Sequence, residues 1–329
     1  MKGGTQALTH YLWQHPQFCP KDRGMEIHFF NNYDFQSTAD GIPVQSNQRR
    51  YAMRFQKSHS GLFVQQPQQQ LSRRQRQQQQ QQPPPPPPPV LRQPLRWTLD
   101  STPYYLMGTD RIPQAIACVT PQAKLIAVLR HPIERVESHY RYLNQARWTN
   151  HKPMVDWDVW IHHDIQLLRD AGVLQDEIAA DTFAGSHEEY QAWRRYLGNR
   201  HNSQHVVGRG LYAIQLQHYY QVLRRAHKPA SDLLVLRSDQ LRRDTHAVVQ
   251  QVTTDFLGLP PHPLHDASAR HETSGPNNSS SSSNGMPMPD DIRRELQQLF
   301  RPYNQRLFRL LNWTTDGGIW ESEEEAGVV

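Results

Sequence analysis

The sequence predicts an α/β layered fold with a central, mainly parallel sheet flanked by helices, and three observations predict it. Residues 124–129 (KLIAVL) and 233–236 (LLVL) are short apolar runs without alternation, the pattern of strands buried on both faces. Each run is followed by a stretch of helical periodicity, and strands that alternate with helices build a parallel sheet. The length, 329 residues, is enough for one sizeable α/β unit, so residues 1–329 are read as a single domain.

Taken in order, residues 5–14 place Leu8, Tyr11 and Leu12 at helical spacing, with Thr5 positioned to cap the start and Pro16 to stop the helix. The run 124–129 turns at Arg130-His131-Pro132 into a helix that carries Pro132 near its first position and Val136, Tyr140 and Leu143 on its inner face. After the second strand, a helix over 245–257 buries Val248, Val249, Val252 and Phe256 and stops at Gly258. Two helical stretches are expected at the end. One spans about 290–300, with acidic residues at its start, and the other carries Tyr303, Leu307, Leu310 and Leu311. Two segments are expected to stay outside the core. Residues 65–96 hold the glutamine run 77–82 and the proline run 83–89, which lack the apolar groups to offset ordering entropy. Residues 274–288 contain five consecutive serines and are expected to form a flexible loop.

Composition narrows the function. The formal net charge of +5 suits an anionic partner such as a phosphorylated cofactor or an acidic glycan, although solubility accounts for it equally well. Cys19 and Cys118 make neither a disulfide framework nor a Cys-x-x-Cys pair. No run approaches 18 apolar residues, and the start has no signal-peptide core, so neither anchor nor signal is seen. The histidines are scattered: His162-His163 falls on an exposed helix face, and His201 and His205 lack a third ligand, so no metal is expected. Gly-x-x-x-x-Gly-Lys-Ser/Thr does not occur, which argues against an ATP-using P-loop kinase. Arg73, Arg74 and Arg76 lie in the Gln/Pro-rich insertion without interleaved aromatics, which argues against nucleic acid as a partner.

Two segments have the chemistry of phosphate seats. Lys2-Gly3-Gly4-Thr5 opens a helix whose first amides and dipole favour an anion that the glycines let approach closely, unless this is simply a loose terminus. Arg130 sits where a buried strand ends, with Ser138 eight residues on, and ligands of open parallel sheets collect at the carboxyl ends of strands. Arg130 forks onto a phosphate and Ser138 donates to it, or else Arg130 and Arg135 are ordinary surface charges; the residues alone leave the two readings level.

These segments resemble the motifs of one enzyme family. KGGTQALTHYLWQHP (2–16) looks like the 5′-phosphosulfate loop of the sulfotransferases that use 3′-phosphoadenosine 5′-phosphosulfate (PAPS), and LIAVLRHPIERVESHY (125–140) is similar to their 3′-phosphate motif. Thr102-Pro103-Tyr104-Tyr105-Leu106 resembles the segment before that strand, and MEIHFF (25–30) resembles a segment of the heparan-sulfate class. Residues 210–216, 233–259 and 302–307 follow the family in the same order.

The resemblance implies a P-loop-like three-layer fold with a central, mainly parallel sheet flanked by helices. It implies a sulfuryl group passed from PAPS to a hydroxyl or amine of a carbohydrate, glycosaminoglycan-like acceptor, without a metal. It implies that Lys2 neutralises the leaving group, that Gly3, Gly4 and Thr5 hold the 5′-phosphate, and that Arg130 and Ser138 hold the 3′-phosphate. Glu26 becomes the general base with His28 in reserve, while Phe29 and Phe30 belong to the core. Heparan-type relatives work in the Golgi lumen, which is therefore the expected location. The family leads into its lysine-glycine-threonine loop by a buried strand, whereas Lys2 here follows Met1, and Ser101 stands where the heparan class often carries a lysine. The alternative expectation is accordingly a catalytically impaired relative that binds nucleotide or glycan without turnover.

Overall fold

The structure, a computed structural model, describes residues 4–18, 26–30, 44–56, 97–108, 111–174, 180–198, 205–267, 287–313 and 320. The elements that position the site are, in chain order, helices α1 (Thr5–Leu12), α2 (Val44–Gln56), α3 (Tyr104–Met107) and α4 (Ile112–Val119), strand β1 (Leu125–Leu129), helices α5 (Pro132–Thr149), α6 (Trp157–Asp170), α7 (His187–Gly198) and α8 (Tyr212–Arg225), strand β2 (Leu233–Arg237), and helices α9 (Ser238–Arg243), α10 (Thr245–Gln250) and α11 (Asp290–Leu311).

β1 and β2 pair in parallel, Leu125 opposite Leu233 through Leu129 opposite Arg237. Successive side chains of a strand point to opposite faces, and here both faces are covered. Ile126, Val128, Leu234 and Leu236 pack with Ala7, Leu8, Tyr11 and Leu12 of α1 and with Val248, Val249 and Val252. On the other face Ala127, Leu129, Leu233 and Val235 pack with Tyr212, Leu216 and Leu223 of α8 and with Leu307 and Phe308 of α11. Helix, sheet, helix is the expected three-layer α/β arrangement, and it explains why both runs are apolar throughout. A further core lies among α5, α6, α7 and α11, where Tyr140 stacks on Trp157 at 3.6 Å and Ile161, Ile165, Leu168 and Trp193 are fully buried.

α5 follows the expected pattern. Pro132 stands at its first turn, Val136 and Tyr140 are buried, and Leu143 packs at the edge of the core. Other local expectations shift. Thr5 is not the cap of α1. Gly4 occupies the cap position at φ 91° without a side-chain cap bond, and Thr5 is the first helical residue. A left-handed backbone at that position suits glycine. The helix after β2 begins as α10 but closes as a wider π-helical turn, Gln251–Phe256. The changed period leaves Phe256 half-buried beneath the Lys124 ammonium, 5.4 Å from the ring centre, rather than in the core. The two expected C-terminal helices are one helix, α11, which runs through Pro302. An interior proline costs about 3 kcal/mol, but Ile292, Leu296, Phe300, Leu307 and Phe308 keep one buried stripe across it. Each such side chain contributes about 1.5–3 kcal/mol when buried.

The 65–96 insertion lies outside the described residues, as do residues 268–286. Of the expected 274–288 loop, only Pro287 and Met288 are described; Met288 is buried in the core, so the polar loop ends before it. No helix among the described residues is long and apolar enough to cross a membrane.

Candidate active site

Of the residues expected to hold phosphates, Gly4 and Arg130 lie near the carboxyl ends of the two strands. A Cβ on Gly4 would lie 3.5 Å from Val128 of β1 and 3.6 Å from Ser238, the residue after β2. Gly4 therefore brings the start of α1 close to both strand ends, and its left-handed φ turns the chain into the helix. Lys2 and Gly3 lie outside the described residues. Arg130 follows β1 directly and its backbone carbonyl accepts the Tyr212 hydroxyl at 3.0 Å. Its Nε donates to Glu134 at 3.0 Å, and its two terminal nitrogens have no protein partner among the described residues. Burial alone would push the Glu134 carboxyl up, but Arg130 and Arg242 outweigh it and hold the group below the usual carboxylate range. His131 caps α5. Its Nδ1 accepts the Ile133 amide at 3.2 Å, while Nε2 donates to the Trp320 carbonyl at 3.0 Å. Burial lowers its pKa, consistent with a neutral ring in these two bonds. Ser138 is half-buried two turns into α5. A glycine turn without a Cβ, a partly oriented guanidinium and a hydroxyl on the following helix form a donor set that fits a phosphate-bearing nucleotide.

Glu26 and His28 meet. The carboxylate Oε2 is 2.9 Å from His28 Nε2, and both side chains are partly exposed. They do not meet as alternate residues of a straight strand, because His28 sits at φ 56° and the chain bends there. A partly buried polar hub holds the bend in place. Thr102 Oγ1 accepts the amides of Ile27 at 3.1 Å and His28 at 3.0 Å, and donates to Asp100 at 2.7 Å. Asp100 also accepts the hydroxyls of Tyr105 at 2.9 Å and Tyr51 at 3.3 Å. Burial, then the Asp100 charge, push both phenols up, so both remain donors. Phe29 and Phe30 are core residues, as expected, packed against Tyr51 and α4.

A cleft of about 180 Å³ lies beside these parts. Thr5 lines it, as do Asp100, Ser101 and Thr102, the residues 124–128 along β1, and Arg135, Arg209, Tyr212 and Gln215. Among the described residues no group of histidine, cysteine and acidic side chains has the arrangement of a metal site. His162 is instead bonded to Glu295 at 2.8 Å.

The sulfotransferase domain family matches residues 1–301. The chain belongs to the sulfotransferase family. Its fold is similar to that of a crystallised sulfotransferase from Alicyclobacillus acidocaldarius, with a TM-score of 0.55 and 20% identity over 98% of this chain and 95% of that one. At that identity the likeness speaks for the fold alone. The family's reaction is sulfuryl transfer, and PAPS is the donor it generally uses.

Within this sulfotransferase, several residues of the site were not legible as such. Asp100 gave one signal, an acid two residues before a Thr-Pro. Arg135 is not the surface charge of the plainer sequence reading, being 3% exposed and cleft-lining. Arg209 stands between two glycines, and the first of these is required by packing, since a Cβ on Gly208 would lie 2.2 Å from the Tyr196 hydroxyl.

Proposed function

We propose that the enzyme transfers the sulfuryl group of PAPS to a hydroxyl or amine of a carbohydrate acceptor of glycosaminoglycan type. The observation that carries this reading is the Glu26–His28 pair at 2.9 Å, held through Thr102 in the wall of the cleft that Thr5 also lines. PAPS supplies a sulfuryl group on a phosphate leaving group. Lys2, Gly3, Gly4 and Thr5 hold the 5′ end, and the Lys2 ammonium stabilises charge that grows on the departing oxygen. Arg130 and Ser138 grip the 3′-phosphate and so select this nucleotide over ATP. Glu26 takes the proton of the attacking hydroxyl or amine, and the His28 N–H holds the carboxylate in position. The excess of basic residues, net +5, favours an anionic glycan. On this reading the enzyme works where such glycans are completed, in the Golgi lumen.

The test is calorimetric titration with 3′-phosphoadenosine 5′-phosphate against wild type and Arg130→Ala, with adenosine 5′-phosphate as control. Loss of a charged hydrogen bond worth about 1.5–3 kcal/mol weakens binding about 10- to 150-fold in the variant. Acceptor screening with labelled PAPS then compares wild type with Glu26→Gln, which is expected to retain nucleotide binding and lose transfer. Equal affinity for both nucleotides, or an unaffected Arg130→Ala, would remove the donor assignment.

A further inference from the structure

We propose that the exposed face of α5 beyond Ser138 is a docking ledge for an anionic glycan chain. The ledge rests on the reading of the acceptor as such a glycan, and none of its residues lines the cleft. α5 turns one side to the core, where Val136, Tyr140 and Asn144 are buried. Its other side carries Ser138, Arg141, Tyr142, Gln145, Trp148 and Thr149, spaced three and four apart so that they form one stripe. Tyr142 is 46% exposed, Trp148 62% and the Arg141 side chain 69%. From Ser138, two turns into the helix, the stripe reaches Trp148 after about 15 Å at 1.5 Å per residue. Two large aromatic rings left in water on one stripe, among cations, are the composition of a surface that meets a partner.

The charge around the rings has one sign. From residue 138 to residue 155 the sequence holds no carboxylate, against Arg141, Arg147 and Lys152. Glu137, just before, is bonded to Arg293, with Arg141 at 3.8 Å. Asp156, just after, caps α6 and accepts the Val159 amide at 3.1 Å. Arg147 Nε donates to the Pro153 carbonyl at 2.5 Å, and the Lys152 amide donates to the Arg147 carbonyl at 2.9 Å. The turn after α5 is thereby folded back, with Lys152 beside the end of the stripe. Neither Arg147 nor Lys152 has an ion-pair partner among the described residues. A sugar ring presents C–H groups on its face and hydroxyl or acidic groups at its rim. The C–H face suits the negative face of an aromatic ring, and the rim suits guanidinium and amide donors. A membrane surface would need a continuous apolar face, which Gln145 interrupts between Tyr142 and Trp148. Nucleic acid is the competing partner, since the same cations attract it.

The full chain, saturated with 3′-phosphoadenosine 5′-phosphate, is titrated by calorimetry with a heparin octasaccharide at fixed ionic strength. Trp148→Ala and Arg141→Ala are each expected to weaken the octasaccharide about tenfold. Trp148→Phe keeps a ring and is expected to stay near wild type. Both side chains are exposed, so urea midpoints and nucleotide affinity are expected to be unchanged. The ledge and the acceptor reading fail separately. An octasaccharide that binds, is weakened in both variants and accepts no sulfuryl group supports the ledge and removes the acceptor reading. Transfer to the octasaccharide with its affinity unchanged in Trp148→Ala and Arg141→Ala overturns the ledge and leaves the acceptor reading standing. An octasaccharide that does not bind overturns the ledge. So does a nucleotide affinity that falls as far as glycan affinity in the variants, which would be general damage to α5. Duplex DNA that binds more tightly than the octasaccharide, and is lost in Trp148→Ala, overturns it in favour of nucleic acid.

Discussion

Replacing Asp164 by asparagine probes the polar node at the turn that leads into Arg209. The side chain of Asp164 is fully buried on α6 and is bonded to the Tyr196 hydroxyl and to the amides of Val207 and Gly208, so it staples the chain entering Arg209 to the core. Burial raises its pKa from 3.8 to about 6, against the opposing pull of those hydrogen bonds. The sign follows from linkage. A carboxyl whose folded pKa is raised favours the fold most when protonated, below the unfolded value of 3.8, and that contribution is lost as pH rises through about 6. Integrating a shift of that size gives a loss of about 3 kcal/mol across the whole window, of which about 1.4 kcal/mol falls between pH 5 and pH 8.

Asparagine has the same shape and does not titrate. It turns one acceptor into a donor against the Val207 and Gly208 amides or against Tyr196, at a cost of about 1.5–3 kcal/mol. Urea unfolding of wild type and Asp164→Asn at both pH values gives the comparison. The variant is expected to be the weaker protein at pH 5, and its deficit is expected to shrink by about 1 kcal/mol or more at pH 8, because only the wild type bears the buried charge. A deficit equal at the two pH values to within about 0.3 kcal/mol, well below that expected change, would refute the reasoning.

Two further outcomes follow from the site's framework. Gly4→Ala meets only ordinary contacts at 3.5–3.8 Å but forces a side chain onto φ 91°; it is expected to cost about 1–2 kcal/mol in urea unfolding and to weaken 3′-phosphoadenosine 5′-phosphate in calorimetry. Unchanged stability would mean that the turn does not need glycine. Asp100→Asn disturbs the acceptor shared by Thr102, Tyr105 and Tyr51. As a positioning change it is expected to lower kcat while nucleotide affinity stays within about twofold, and a fall in affinity matching the fall in kcat would assign Asp100 to the donor side instead.

Much of the fold was legible because its signals are local. Apolar runs at 124–129 and 233–236 admit only strands covered on both sides, and Pro132 beside an inward face of Val136 and Tyr140 specifies where α5 begins and what it buries. The readings that failed depended on neighbours. Residues 290–311 read as two helical stretches, whereas the buried stripe from Ile292 to Phe308 gains more from one continuous helix through Pro302 than the proline costs. Thr5 read as a cap because its hydroxyl suits that role, but the left-handed turn belongs to Gly4. Arg135 read as a surface charge because arginine is almost never fully buried unless paired.

By itself the sequence determined the family and the layered α/β class, and it supplied the residues proposed for the donor seats, since each rests on short-range order along the chain. Only the tertiary structure decided that Glu26 bonds His28, that Asp100 and Thr102 hold the bend on which they sit, and that Arg135 is buried in the cleft wall. Those facts depend on segments up to 75 residues apart meeting in space, and burial and charge pairing are properties of that meeting which no local pattern encodes.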